Sequence, residues 1–464
     1  MEKKMSISYL HKKFIFALLL LIPFTSFANK PQLDKTKVQS NHNASDSIAL
    51  LNTNAREIIR ISLKRNRTIK GSFQNIESSH AQVMQARSIH GAKISGNFRQ
   101  ARVDDVAKGP AGNDLGKKVS QQAYLEVTQP LFLSGKAGAA LKSARLGRKT
   151  AKARHTLTKQ TIIQSTIMKW LSWLFSIEAE QVSQKDFELA KAHYELVSKR
   201  LRQKQASEFE RLRAEVRLAQ ARSDLRKQTN NRELACLDLL RILDFPEDTP
   251  VSTKEKLKMV EYEIDPEKDA IKALDLREDL RSKRLEVKMA KQAIEAARSE
   301  NKPTVSLFGQ TGFQDPSSKS SMGKYERKGY WQVGLVANFT LNDGGMRKGK
   351  IKQAHARLAQ AQNDLENSIE QAKFEIRQAF LTIKTAKEVV FAQQKALKQA
   401  EEALRLANVR YSNGLFTQVE LFDAENAYLA TRLQYYQAIF SYDQAVVAYG
   451  LATGRLGREF ISES

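Results

Sequence analysis

The chain has one cysteine, Cys236, in 464 residues. A single thiol rules out a disulfide within the chain and any site built from several thiolates. Its place in the apolar-periodic run Leu234–Leu243 marks it as a packing group. Histidine is scarce as well: seven occur, one of them before residue 28, and none forms His-Glu-x-x-His or another close pair able to hold a metal. A phosphate loop is missing too, because Gly135-Lys136-Ala137-Gly138 lacks both the spacing and the terminal Lys-Ser/Thr. The sequence therefore offers no catalytic residue, no cofactor site and no metal site. Aromatic residues make up 8% and hydrophobic residues 41%, low for a globular enzyme and suited to narrow helical packing. The apolar run Phe14–Phe24 has only about 11 of the roughly 20 residues that a membrane-spanning helix needs, and no other segment is long enough to span as a helix.

What is present begins with an export signal. Lys3, Lys4, His11, Lys12 and Lys13 precede the apolar run, and Ser26-Phe27-Ala28 is a small-x-small cleavage site before Asn29, so residues 1–28 read as a signal peptide. The residue directly after the site is Asn29 and not cysteine, so an N-terminal lipid is not indicated. Residues 29–45 form a polar leader. The net charge of +25 is spread along the chain and mixed with Glu and Gln, which reads as solvated helix faces rather than a nucleic-acid surface. Export points the same way, leaving a residual attraction for anionic headgroups or anionic cargo.

The dominant feature is a helical pattern from Gly345 to Gly450, interrupted once. Val389, Ala392, Ala396, Ala400, Ala403 and Ala407 recur at three- and four-residue spacing, one small-residue stripe on an amphipathic helix. Asn413-Gly414 stops the pattern, and Thr417-x-x-Glu420 is a capping box that opens the next helix. The roughly 66 residues before Tyr411 would reach about 100 Å as a helix. Such a helix must pack along its length against similar ones.

The same design occurs 210 positions earlier. Gly135, Lys142, Ala144, Ala151, Arg200, Ser207, Glu210, Ala214, Glu215 and Arg222 stand against Gly345, Lys352, Ala354, Ala361, Arg410, Thr417, Glu420, Ala424, Glu425 and Arg432. This is an internal duplication. The first repeat covers 46–243, with one helical pattern running through Ile58, Ile59, Ile61 and Leu63 to Val83 and Ala86. The second covers 272–453. Residues 244–271, with Pro246, Pro250 and Pro266, form a connector of short irregular elements, and 454–464 a polar tail.

Each repeat also carries a pair of extended segments, 91–105 with 121–133 and 303–313 with 330–341. In the last, Trp331, Val333, Leu335, Ala337 and Phe339 share one face. Segments of this length can cross a bilayer as tilted strands. Four strands cannot close a barrel, and a bilayer does not tolerate open sheet edges, so several chains would have to share one barrel.

At Gln129-Pro130-Leu131-Phe132-x-x-Gly135, Tyr411-x-x-Gly414 and Glu420-x-x-Asp423-Ala424, the chain resembles the TolC-type outer membrane efflux proteins. With the two-fold repeat, the likeness covers nearly the whole chain after the signal. The resemblance implies a mainly α fold with a small β part: long antiparallel helical hairpins forming an α-barrel tunnel, and four strands per chain contributing to a 12-stranded trimeric outer-membrane β-barrel. It implies a homotrimer in the cell outer membrane with a periplasmic helical extension, working with a periplasmic adaptor (membrane fusion) protein and an inner-membrane transporter and requiring no cofactor. Conduction would be passive, in a tripartite efflux or type I secretion system. Carried onto this sequence, Gly414, Leu415, Lys204 and Gln205 are adaptor-docking tips, although the family commonly has Gly where Lys204 stands. Tyr411 and Glu210 are gate-closing contacts, although the family often has a basic residue at Phe416. Glu420 and Asp423 correspond to the carboxylates that narrow the pore mouth, where three copies of each would attract cations. Glu420 is equally explained as a capping residue. The first-half counterpart of Asp423 is Arg213.

An exported helical coiled-coil adhesin or scaffold is the alternative. It explains the helices and the repeat but not the paired strands at matching positions.

Overall fold

The computed structural model describes residues 53–105, 108, 110, 118–262, 264–314 and 328–463. The signal segment 1–28, the leader 29–45 and residues 315–318 between the second pair of strands lie outside the described residues.

Two helices open the fold where the sequence pattern reads as one. Helix α1 (Ala55–Arg65) gives way to α2 (Arg67–Ser88) at Asn66. The Asn66 side-chain oxygen accepts from the Thr68 N–H at 2.9 Å, while its amide donates to the Ile242 carbonyl at 3.0 Å. Apolar periodicity hides this break, because Ile58, Ile59, Ile69 and Ile76 stay buried on either side of it. The second half breaks at the equivalent place. Helix α5 (Pro266–Leu276), capped by Asp265 with proline in its first turn, meets α6 (Glu278–Ser299) at Arg277, which donates to the Ala452 carbonyl at 3.3 Å. The first turns of α5 thus lie within residues 244–271, the expected connector.

Between these helices and the long ones lie β1 (Lys93–Arg102), β2 (Val119–Phe132), β3 (Thr304–Gln314) and β4 (Lys328–Asn338). They form one antiparallel sheet in the order β1-β2-β3-β4, with Lys93 opposite Thr128, Gln122 opposite Gln314 and Thr304 opposite Asn338. The register slips between Pro130 and Phe132, where proline brings no N–H to the ladder. Strand β4 stops short of residue 341 because Asn342 and Asp343 turn the chain: their side chains accept from the Gly344 and Gly345 N–H groups at 3.1 Å. Trp331, Val333 and Leu335 are each about two-thirds exposed on one face, and Ile94, Phe98 and Leu125 are exposed as well. Strands β1 and β4 each have one edge without a strand partner among the described residues.

Helices α3 (Lys136–Arg202) and α7 (Met346–Ser412) have 67 residues each, about 100 Å at 1.5 Å per residue. Gly135 (φ 88°) and Gly345 (φ 92°) precede them in the left-handed conformation, which explains glycine at both positions. Helix α4 (Glu208–Leu243) returns along α3, and α8 (Gln418–Ala452) along α7. Near the sheet α3 lies between α2 and α6, with Ser72 Oγ 2.6 Å from His155 Nδ1 and Arg154 paired to Glu286 at 2.8 Å. Farther along, its neighbours are α4 and α8.

The largest core sits midway, where α1, α5 and the 244–265 segment wrap α3, α4 and α8. Trp170 and Trp173 (ring centroids 5.2 Å apart), Leu239, Leu240, Leu243, Tyr442 and Tyr449 are buried there. Buried Asp269 accepts from the Tyr449 hydroxyl at 2.7 Å and from Arg455. The expected polar tail is instead docked structure. Gly454 (φ 68°) turns the chain, and α9 (Arg458–Glu463) buries Phe460 against Ile59 and Ile163, apolar contacts that the surrounding polar residues mask in the sequence.

Candidate functional site at the hairpin tips

The two helical hairpins turn at their far ends by the same hydrogen-bond pattern. At the first tip the Gln205 N–H reaches back to the Arg200 carbonyl at 2.8 Å; at the second, the Leu415 N–H reaches Arg410 at 2.8 Å. Both are Schellman turns, which require one left-handed residue. Gly414 supplies it at φ 74°, and Lys204 supplies it at φ 57°. The first tip thus keeps the backbone of the second despite a Cβ that costs about 1 kcal/mol in this conformation. Lys204, Gln205, Gly414 and Leu415 are all exposed, Leu415 at 74%.

Each returning helix opens on a complete capping box. The Ser207 N–H donates to Glu210 Oε2 at 2.6 Å and the Glu210 N–H to Ser207 Oγ at 3.2 Å; the Thr417 N–H donates to Glu420 Oε2 at 2.7 Å and the Glu420 N–H to Thr417 Oγ1 at 3.3 Å. Hydrogen bonds from the Thr417 backbone and then its hydroxyl hold the Glu420 carboxyl below the usual range, so it stays ionised. Asp423 lies one turn farther along α8, exposed and without an ion pair or hydrogen bond among the described residues. Its counterpart Arg213 is exposed on α4.

Tyr411 and Glu210 do not bond within one protomer. The Tyr411 hydroxyl meets Arg200 Nη1 at 3.4 Å, and the Arg200 guanidinium lies 5.3 Å from the ring centroid. Burial raises the Tyr411 pKa; Arg200 opposes this, and the negative charges of Glu210 and Glu425 add to it. Phe416 has the Arg410 guanidinium 5.1 Å from its ring centroid, so a cation stands at this level although the residue itself is aromatic.

Behind the tips is a polar cluster that sequence reasoning missed. His193 on α3 is buried, with Nε2 2.7 Å from Gln418 Nε2 on α8 and its ring against Phe422 (4.7 Å) and Tyr411 (5.8 Å). Desolvation, and then Arg200, bring its pKa down to about 4, so it is neutral at ordinary pH. Arg217 on α4 forks onto Asp186 of α3 and donates to Asn426 of α8 at 3.0 Å. Glu425 is buried beside this pair. Burial pushes its carboxyl up to about 7; Arg217 works against that shift and Asp186 with it. These contacts tie the first hairpin to the second through α3 and α8.

Residues 58–243 and 271–455 match the model of the outer membrane efflux protein family, one span in each half. The chain belongs to that family. Among curated relatives, outer membrane protein OprJ of Pseudomonas aeruginosa is 22% identical over 390 residues, covering 82% of this chain and 79% of OprJ. Proteases secretion protein PrtF of Dickeya chrysanthemi is 24% identical over 173 residues, 37% of each chain. The crystal structure of the Campylobacter jejuni CmeC outer membrane channel superposes with a TM-score of 0.76 at 18% identity, covering 88% of both chains. At that identity the efflux-protein fold is what the superposition carries.

Proposed function

We propose that three copies of this chain form the outer-membrane channel of a tripartite efflux or type I secretion system, conducting passively what an inner-membrane pump and a periplasmic adaptor deliver. The observation that carries this reading is the four-stranded sheet, with two edges unpartnered among the described residues and exposed apolar side chains along one face. Three such sheets would close one 12-stranded barrel without edges, the arrangement a bilayer permits. The four long helices of each chain would continue it as a tunnel. The relatives named above include a proteases secretion protein, which puts polypeptides among the cargoes to be tested.

At the far end, Lys204, Gln205, Gly414 and Leu415 are the exposed surface offered to an adaptor. The contacts of Arg200 with Tyr411 and of His193 with Gln418 hold the hairpins together near the aperture. Of the two acidic candidates, Glu420 is committed to its capping box, which leaves Asp423 as the free carboxylate. Three-fold symmetry would gather three Asp423 side chains, a ring that attracts cations and repels anions. In planar bilayers the wild-type channel is expected to prefer cations, and Asp423→Asn to bring the cation-to-anion permeability ratio several-fold closer to unity. An unchanged ratio would remove Asp423 from the selectivity site.

A further inference from the structure

Where the strands hand over to the long helices, the surface changes character within a few residues. Large apolar side chains remain exposed at this end of the sheet and just past it, Leu131 at 58%, Phe132 at 49%, Leu341 at 85% and Met346 at 56%. Basic residues follow at once. From Lys136 to Lys159 the sequence has eight Lys or Arg and no Asp or Glu, and from Arg347 to Arg357 it has five and none.

Neighbouring acids neutralise part of this charge. Glu300 takes Lys350 at 2.8 Å and Lys136 at 3.8 Å, Asp343 takes Arg347 at 2.7 Å, and Glu286 takes Arg154 at 2.8 Å. Lys142, Arg145, Lys149 and Lys152 are exposed and have no ion pair among the described residues. Their spacing of three, four and three residues puts them on one face of α3. On the opposite face Ala140, Gly147, Ala151 and Thr158 are small and half-buried, with the Gly147 Cβ position 3.9 Å from Met289 Cε of α6. In the barrel proposed above, small side chains suit the crowded concave side of the helix layer and long basic ones its convex, outer side. Lys348 and Lys352 are exposed in the first turns of α7, and Lys352 is the repeat equivalent of Lys142.

We propose that this stripe is a seat for anionic phospholipid headgroups of the leaflet on the helix side of the barrel. The inference rests on the membrane placement proposed above. An apolar belt followed directly by snorkelling cations is the pattern that a bilayer surface selects. Lys136 and Arg145 are about 14 Å apart along the helix, so extended side chains and a Debye length of about 8 Å bring the first turns within reach of the headgroup plane. Each basic residue there favours an anionic surface by about fivefold. An anionic cargo inside the tunnel is the competing occupant, and it would require the stripe to face the lumen.

The test uses the full-length trimer in vesicles of phosphatidylethanolamine with and without phosphatidylglycerol, extracted gently so that the retained lipid can be counted by mass spectrometry. Wild type is expected to keep phosphatidylglycerol in several-fold excess over its share of the vesicle, less so as salt rises. Lys142→Gln with Arg145→Gln should lose at least fivefold of that excess, whereas Lys395→Gln with Lys398→Gln, on α7 far from the sheet, should lose none. Retention without enrichment or salt dependence in wild type would overturn the proposal whatever the variants do. So would a variant that kept its lipid but shifted the reversal potential of the channel, which would place the stripe in the lumen. Failure to insert into either vesicle would instead overturn the channel reading, and this proposal with it.

Discussion

Replacing Arg277 with methionine is expected to destabilise the protein by about 2–3 kcal/mol. Its guanidinium forks onto Asp279, at 3.1 Å from Nε and 2.7 Å from Nη2, reaches Glu375 of α7 at 2.7 Å, and donates to the Ala452 carbonyl at the end of α8. One side chain thus joins the α5–α6 junction to both members of the second hairpin. The Arg277 side chain is 12% exposed, so burial acts against its charge, yet the hydrogen bonds it donates to the two carboxylates raise its pKa above the usual value. Burial alone would push the Asp279 carboxyl up; the Arg277 hydrogen bonds outweigh that and leave it lowered. Methionine would fill the volume and strand two carboxylates. Removing one partner of a fully buried pair costs about 3–5 kcal/mol, and the carboxylates here keep about a third of their surface in water, hence the smaller figure. Because the Asp279 pKa is depressed on folding, its share of the stability is present above the unfolded carboxyl pKa and is lost as pH falls through the folded one. Denaturant unfolding at neutral pH measures the loss. Arg277→Lys should recover only part of it, since an ammonium cannot fork onto Asp279 while reaching Glu375 and Ala452.

Gly312→Val is expected to abolish assembly of the trimer altogether. Gly312 pairs with Tyr124 across the seam where β2 of the first repeat meets β3 of the second. A Cβ on Gly312 would lie 2.6 Å from the Tyr124 Cα, and backbone cannot yield as a flexible side-chain end can. The seam would have to open, and with it the sheet that joins the two halves. Gly309→Ala is the control on the same strand: its Cβ would meet Val333 Cγ2 at 3.8 Å, an ordinary contact. Membrane fractions analysed unheated on denaturing gels should show assembled protein for Gly309→Ala and none for Gly312→Val. An assembled Gly312→Val protein would mean that β2 and β3 pair in another register.

The features legible in the sequence were those written locally and twice. Gly135 with Gly345 and Ser207-x-x-Glu210 with Thr417-x-x-Glu420 are short-range signals whose physics is complete within a turn, and their 210-residue repetition exposed the duplication. Strand alternation at Trp331, Val333 and Leu335 was legible for the same reason. The Asn66 break was not, because a capping side chain can stop a helix without disturbing its apolar stripe. Nor was the cluster behind the tips. Arg217 meets Asp186 and Asn426, and His193 meets Gln418, across helices far apart in the chain; periodicity tells which face a residue occupies but not what lies opposite. Glu425 reads in the sequence as one more helix carboxylate, and only its burial beside Asp186 and Arg217 sets it apart.

The proposed channel follows from a sheet whose two edges have no strand partner among the described residues of one chain. The most direct test is the mass and detergent requirement of the native particle extracted from outer membranes, measured by light scattering corrected for bound detergent. Three chains in a particle that needs detergent to stay in solution is the predicted result. A water-soluble single chain would contradict it.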